Sequence, residues 1–207
     1  MRVTAQAKEA TRDRILETAR KLFSTKGFDP TTTRDLAREA GIATGTLFNY
    51  FASKEAVAMT LIADQLDGVQ ATAVEERSRG QSLEEDLFAH VAEGLRRLRP
   101  FRSFVGPVLE AMISPFSRSS CCEASERLRL NHMETVGNLI AVHRPSSSAT
   151  FVAVHLYWTL YLGVLAFWSN DESPHQEDTL VVLDQSLRLF AASLAQNSSR
   201  TEVNRGS

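Results

Sequence analysis

Apolar positions recur at the three- and four-residue intervals of a helix nearly throughout the chain, and no stretch alternates with the period of two that marks a strand. Ile15, Ala19, Leu22 and Phe23 predict a first helix from about Thr11 to Lys26, stopped by Gly27 and the Asp29-Pro30 turn. Thr32, with Asp35 three residues on, fits a capping box that opens a short second helix, and Gly41 fits the left-handed residue that ends it. Ile42 and Ala43 make the next turn, and Thr44 is placed to cap a third short helix running through Phe51. Ser53 is placed to cap a long fourth helix, along which Val57, Leu61, Ile62, Leu66 and Val69 are spaced. Breaks near Gly80, Pro100, Pro115 to Ser120, Pro145 to Ser148 and Asn170 to Pro174 separate five further helical stretches. These lie at about 82–98, 102–113, 122–143, 147–169 and 175–196, so the chain reads as all-α with about nine helices.

Charge changes this picture only at the N-terminus. The 207 residues carry 23 Lys+Arg against 25 Asp+Glu, a net −2. Residues 1–54 nevertheless hold ten basic and six acidic residues, including all four lysines (Lys8, Lys21, Lys26, Lys54), for +4, while the remainder carries −6. A basic N-terminal piece on an acidic body points weakly to a polyanionic partner such as nucleic acid. A 43% hydrophobic fraction in a chain of this length supports a buried core and argues against disorder. The two cysteines, Cys121 and Cys122, are adjacent and cannot staple a secreted framework. With no apolar run of the secretory kind at the N-terminus, a cytoplasmic location is expected.

The stretch from about 32 to 51 has the layout of a helix-turn-helix, in which the second short helix enters a major groove about 12 Å wide. Its residue types suit that task. Thr31, Thr32 and Thr33 sit at a helix N-terminus, where hydroxyls and free N–H groups bind phosphate. Thr44, Gly45, Thr46 and Asn49 give the next helix a small polar face for base edges; threonine methyls suit thymine and asparagine suits adenine. Tyr50 and Lys54 are placed to reach flanking phosphates, and Arg34 completes the candidate DNA-binding set.

At Thr-Thr-Thr-Arg-Asp-Leu-Ala-Arg-Glu-Ala-Gly-Ile-Ala-Thr-Gly-Thr-Leu-Phe-Asn-Tyr-Phe-Ala-Ser-Lys-Glu (31–55), and at Ala19, Leu22, Phe23 and Gly27 before it, the chain resembles the TetR family of transcriptional repressors. The resemblance covers about residues 9–69 and departs from the family at Phe48, commonly a tyrosine, and at Gly45, often a lysine or another polar residue. It implies an N-terminal three-helix DNA-binding domain (9–69), joined by a long helix to a larger helical ligand-binding and dimerisation domain (70–197). Residues 198–207 are polar and expected to be a frayed tail. It also implies a homodimer that reads a palindromic double-stranded operator, with ligand binding in the second domain releasing the DNA.

The second part of the chain adds three features. No charged side chain occurs from Pro145 to Asn170, and Ala149 to Trp168 is apolar and long enough to span a bilayer. A buried helix of a water-soluble protein has the same composition, and no membrane association is expected. Leu183, Leu187, Phe190 and Leu194, with Leu180 before them, follow the 3-4 spacing of a helix–helix seam and, together with one face of the 147–169 helix, are the expected dimer contacts of a four-helix interface. Phe101, Phe104, Met112, His132, Tyr157, Trp158 and Tyr161 are candidate lining for an effector site, and their lack of charge favours a neutral or apolar small molecule. A regulator sensing thiol oxidation through Cys121 and Cys122, or a protein partner, is the alternative. The five scattered histidines give no metal-ligand spacing. With no phosphate loop, nucleophile elbow or paired-carboxylate motif, no cofactor and no enzymatic activity is expected.

Overall fold

The Thr4 hydroxyl accepts a hydrogen bond from the Ala7 N–H and opens helix α1 (Ala5–Thr25), so this helix starts two turns before its apolar spacing does. Residues 4–10 are all exposed, which is why they carry no apolar signal. The computed structural model describes residues 4–67, 82–113, 122–143 and 150–205, and all regular structure among them is helical. After α1 come α2 (Thr33–Glu39), α3 (Thr44–Phe48), α4 (Lys54–Leu66), α5 (Leu83–Leu98) and α6 (Arg102–Ile113). They are followed by α7 (Glu123–His143), α8 (Thr150–Asn170) and α9 (Glu177–Arg205). Short 3₁₀ turns at Arg99–Phe101 and Pro174–Gln176 lead into α6 and α9. Expected helix ends are met within a few residues, with three exceptions.

Thr44 does not cap α3: it is the first helical residue, and the extended Ala43 before it has no side chain to donate a cap. α3 also stops at Phe48 rather than Phe51, because Asn49 and Tyr50 tighten into i→i−3 bonds to Thr46 and Leu47. The polar end from Ser198, expected to fray, continues α9 to Arg205; a helix already nucleated gains one backbone hydrogen bond per added residue without needing an apolar stripe. The breaks near Gly80, Pro115 to Ser120 and Pro145 to Ser148, and Val69, lie outside the described residues.

Packing divides the chain into two compact units. The first comprises residues 1–65 and 98–127, the second residues 66–97 and 128–207. The contacts part after residue 65, and α6, which the sequence places beyond residue 69, packs with the first unit. Phe101 and Phe104 explain this: Phe104 lies 5.2 Å from the Phe23 ring and 5.7 Å from Phe28, nearly parallel to the latter. Ile15, Ala19, Phe23, Leu36, Leu47, Phe51, Val57 and Leu61 are buried in the same core. In the second unit Leu87, Val91, Val136, Ile140, Tyr157, Trp168, Leu183 and Leu187 are buried, and α8 packs along α9.

Candidate DNA interface and the polar seam of the second unit

Helix α2 is pinned at both ends. Thr32 and Asp35 form the reciprocal capping box, and the Asp35 carboxylate also accepts from the Lys26 ammonium at 2.6 Å and the Arg38 guanidinium at 2.7 Å. The Lys26 hydrogen bond first, then the N–H and hydroxyl of Thr32, hold this carboxyl well below the usual carboxylate range. At the other end Gly41 adopts φ +65°, and the Gly41 and Ile42 N–H groups bond back to the Arg38 and Ala37 carbonyls in a Schellman arrangement. That turn launches α3 at once, with Leu47 fully buried as its anchor.

Burial of Leu47 sets what α3 presents outward. Gly45, Phe48 and Asn49, spaced i, i+3, i+4, are all exposed, with Thr44, Thr46 and Tyr50 half-buried beside them. A Cβ on Gly45 would meet nothing within 4 Å, so glycine is not required there by packing. Phe48, 50% exposed, was missed by residue-type reasoning that looked for polar groups; the signal for it was its i+3 spacing from Gly45. Thr33 is half-buried and Arg34 exposed at the start of α2.

Two of the expected DNA contacts have other partners. The Thr32 hydroxyl donates to Asp35 at 2.9 Å while accepting from its N–H, so it is committed to the cap. The Lys54 ammonium donates to the Phe28 carbonyl at 2.8 Å and lies 4.0 Å from the centroid of the Phe28 ring. It thus fastens the start of α4 to the loop after α1, because an ammonium on an aromatic face beside a carbonyl with a second lone pair to offer is well satisfied where it is. Phe23, Phe28, Phe101 and Phe104 form one aromatic cluster beneath it. Phe101 and Phe104, expected to line an effector site, are therefore core of the first unit.

In the second unit α5 and α7 meet along a polar seam. Asp86 and His90 are four residues apart on α5; on α7 His143 lies 2.7 Å from Asp86, and His132 Nδ1 lies 3.4 Å from His90 Nε2. Sequence reading did not pair these groups, because the partners lie 42 and 57 residues apart. His132 also lies against α8, nearly parallel to Tyr161 at 4.2 Å and to Tyr157 at 5.7 Å, with Trp158 edge-on at 5.8 Å. Burial, and secondarily His90, keeps the His132 pKa well below its ordinary value, while burial raises those of Tyr157 and Tyr161. Four of the candidate effector residues are thus brought together. The Met112 side chain and Cys121 lie outside what is described, and Cys122 is half-buried.

The expected dimer contacts are already covered within the single chain. Leu183, Leu187, Phe190 and Leu194 are between 2% and 4% exposed within one subunit, because this 3-4 row of α9 faces its own unit, where Phe190 meets Tyr157 edge-on. Among the described residues of this unit, the large apolar side chains left outside are Leu130 and Val142 on α7, Phe151, Val152, Leu156 and Phe167 on α8, and Leu180, Val181 and Leu189 on α9. The stretch Phe151–Asn170 is long and apolar enough to cross a membrane by length and composition, and 39% of its most apolar window is buried in the subunit.

Comparison with known proteins agrees with this arrangement. Residues 15–61 match the family model described as bacterial regulatory proteins, tetR family. The chain is 41% identical over 56 residues to the HTH-type transcriptional repressor KstR2 of Mycolicibacterium smegmatis, covering 27% of each chain. It is 30% identical over 108 residues to YfiR, an HTH-type transcriptional regulator of Bacillus subtilis, covering 52% of each. The matched segments thus span from about a quarter to about half of these relatives' lengths. Its fold is similar to that of FadR of Thermus thermophilus, a TetR-family repressor solved with lauroyl-CoA, with a TM-score of 0.73 at 23% identity over 87% of this chain and 93% of that one. A TetR regulator from Rhodococcus sp. RHA1 is similar at a TM-score of 0.70 and 19% identity, over 90% of this chain and 97% of that one. The capping box, the Schellman turn and the outward-facing third helix all lie inside the matched segment, residues 15–61, whose similarity is to the tetR family of bacterial regulatory proteins.

Proposed function

We propose that this protein is a cytoplasmic transcriptional repressor that binds a palindromic operator as a homodimer and is released by an uncharged small molecule held in its second unit. The observation that carries the DNA half is the outward row Gly45, Phe48 and Asn49 on an α3 fixed by a buried Leu47 and by the turn at Gly41. Asn49 supplies a donor and an acceptor for adenine, the Phe48 ring suits a thymine methyl, and the bare backbone at Gly45 permits close approach. Thr33, Thr44, Thr46, Tyr50 and the exposed Arg34 surround this row as phosphate and sugar contacts. Two such heads about 34–36 Å apart would occupy successive major grooves on one side of the duplex.

Dimerisation supplies that spacing. The outward face of α8 (Val152, Leu156, Thr159, Gly163, Phe167) carries no charge along its whole length, and Val181 and Leu189 of α9 extend it. An apolar surface of this kind supports pairing with a second copy.

For the effector, His132, Tyr157, Trp158 and Tyr161 supply aromatic walls without formal charge. The lauroyl-CoA of the Thermus protein carries phosphates that would need cations, so an acyl-CoA is the rival to be tested beside neutral compounds.

Binding-site selection on random duplex DNA, followed by titration at several salt concentrations, tests the DNA half. Asn49→Ala and Phe48→Ala should change which sequences are preferred, and Arg34→Ala should weaken all sequences alike and reduce the salt slope by about one. Lys54→Ala should instead lower thermal stability. If all three α2–α3 variants bind the selected operator as the parent does, the reading head is elsewhere.

A further inference from the structure

The seam between α5, α7 and α8 contains buried side-chain atoms with no hydrogen-bond partner among the described residues, His132 Nε2, Tyr157 Oη and Asp86 Oδ1 among them. His132 is 6% exposed and Tyr157 1%. Most buried polar groups in proteins are paired, so two unpaired ones on neighbouring rings need a physical reason. The rings that carry them lie 5.7 Å apart and nearly parallel, and Tyr161, one turn along α8 from Tyr157, stacks 4.2 Å from His132 and 6.2 Å from Tyr157. A core that wanted only packing would hold phenylalanine at both positions at lower cost.

We propose that His132 Nε2 and Tyr157 Oη are together the polar recognition point of a small-molecule site in the second unit, whose ligand is an uncharged ring compound bearing one hydrogen-bonding oxygen, a hydroxyl or a ketone. The inference rests on the effector half of the proposed function and is independent of its DNA half. The class follows from the partners. The Tyr157 hydroxyl donates, and His132 Nδ1 shares one proton with His90 Nε2 across 3.4 Å. If His90 donates that proton, His132 Nε2 carries its own hydrogen, and a ketone oxygen accepts from both His132 and Tyr157. If His132 donates it, Nε2 is an acceptor, and a ligand hydroxyl accepts from Tyr157 while donating to His132. In both tautomers a single neutral oxygen satisfies both atoms. A carboxylate or an ammonium would lack a counter-charge: burial keeps His132 unprotonated and both tyrosines protonated. The faces of Tyr161 and Trp158 then favour a flat or compact apolar body next to that oxygen.

Phenol, cyclohexanone, toluene and benzoate form a matched panel of probes, tested on the full-length chain at pH 7.5 by thermal melting and calorimetric titration. Phenol or cyclohexanone should bind at least about tenfold more tightly than toluene, the worth of one satisfied hydrogen bond, and benzoate should bind no better than toluene. Tyr157→Phe should raise the melting temperature of the free protein, since it removes an unpaired hydroxyl, and should weaken phenol severalfold while leaving toluene unchanged, the contact to His132 remaining. In the unmodified chain, phenol should shift the His132 ring-nitrogen resonance, a readout that does not depend on any variant folding. The proposal is overturned if neither oxygen-bearing probe outbinds toluene, if benzoate is preferred, or if Tyr157→Phe melts lower and binds phenol unchanged. Operator release is measured in parallel. A probe that binds with these preferences and leaves DNA bound upholds the site and removes the proposed effector response instead.

Discussion

Leu156 and Leu187 separate pairing from folding. Leu156 is 47% exposed on the outward face of α8, whereas Leu187 on α9 is 2% exposed inside the same unit. Burying a whole leucine side chain contributes about 1.5–3 kcal/mol, so covering the exposed half of Leu156 with a partner is worth about 1 kcal/mol. Twofold symmetry counts this twice, and Leu156→Ala should raise the dimer dissociation constant about thirtyfold. Leu156→Glu adds the desolvation of an unpaired carboxylate in each copy, a further several kcal/mol, and should be monomeric at micromolar concentration with unchanged helicity. Leu187→Glu places the same charge in the subunit's own core and should cost the second unit its cooperative unfolding. Sedimentation velocity reads the first effect and circular dichroism with thermal melting the second. A Leu156→Glu protein that still sediments as a dimer, or a Leu187→Glu protein that is a folded monomer, would refute the assignment of these two faces.

Two other consequences concern stability. The unfolded chain protonates His132 below about pH 6.5 while the folded chain, with His90, Tyr157 and Tyr161 packed on it, resists doing so. The melting temperature should therefore fall as pH drops below 6.5, and His132→Leu should flatten that part of the profile. The separate fall below about pH 4 remains, where Asp35 and Asp171, whose hydrogen bonds favour their ionised forms, must take up protons. Phe104→Ala, at a site 2% exposed against three other phenylalanines, should cost about 3–5 kcal/mol and weaken operator binding, measured by denaturant unfolding and DNA titration. Operator binding at parental strength in the folded fraction would mean that α6 does not support the reading head.

What could be read from the sequence is local, and what could not is a choice between partners. The Thr32–Asp35 box, the Gly41 turn and the Ser53 cap each act over three or four residues, so residue type and spacing suffice to locate them, and with them the reading helix. Lys54 carries the right charge for phosphate, yet its nearest acceptor is a carbonyl 26 residues earlier, which no spacing rule reveals. The same holds for Phe101 and Phe104, apolar residues whose partners, Phe23 and Phe28, belong to the DNA-binding segment. The 3-4 row Leu183, Leu187, Phe190 and Leu194 marks a seam without naming its neighbour, since a row of that spacing packs equally well on its own chain or on a copy of it; here it packs on its own chain. The physical discriminator is α8. It is apolar around its whole circumference, so once Tyr157, Tyr161, Val164 and Trp168 turn inward, Val152, Leu156 and Phe167 must face out. A helix apolar on both sides needs a second layer to cover it; a row apolar on one side is used up within the subunit. α8 and the outer edge of α9 are therefore the faces on which the proposed pairing rests.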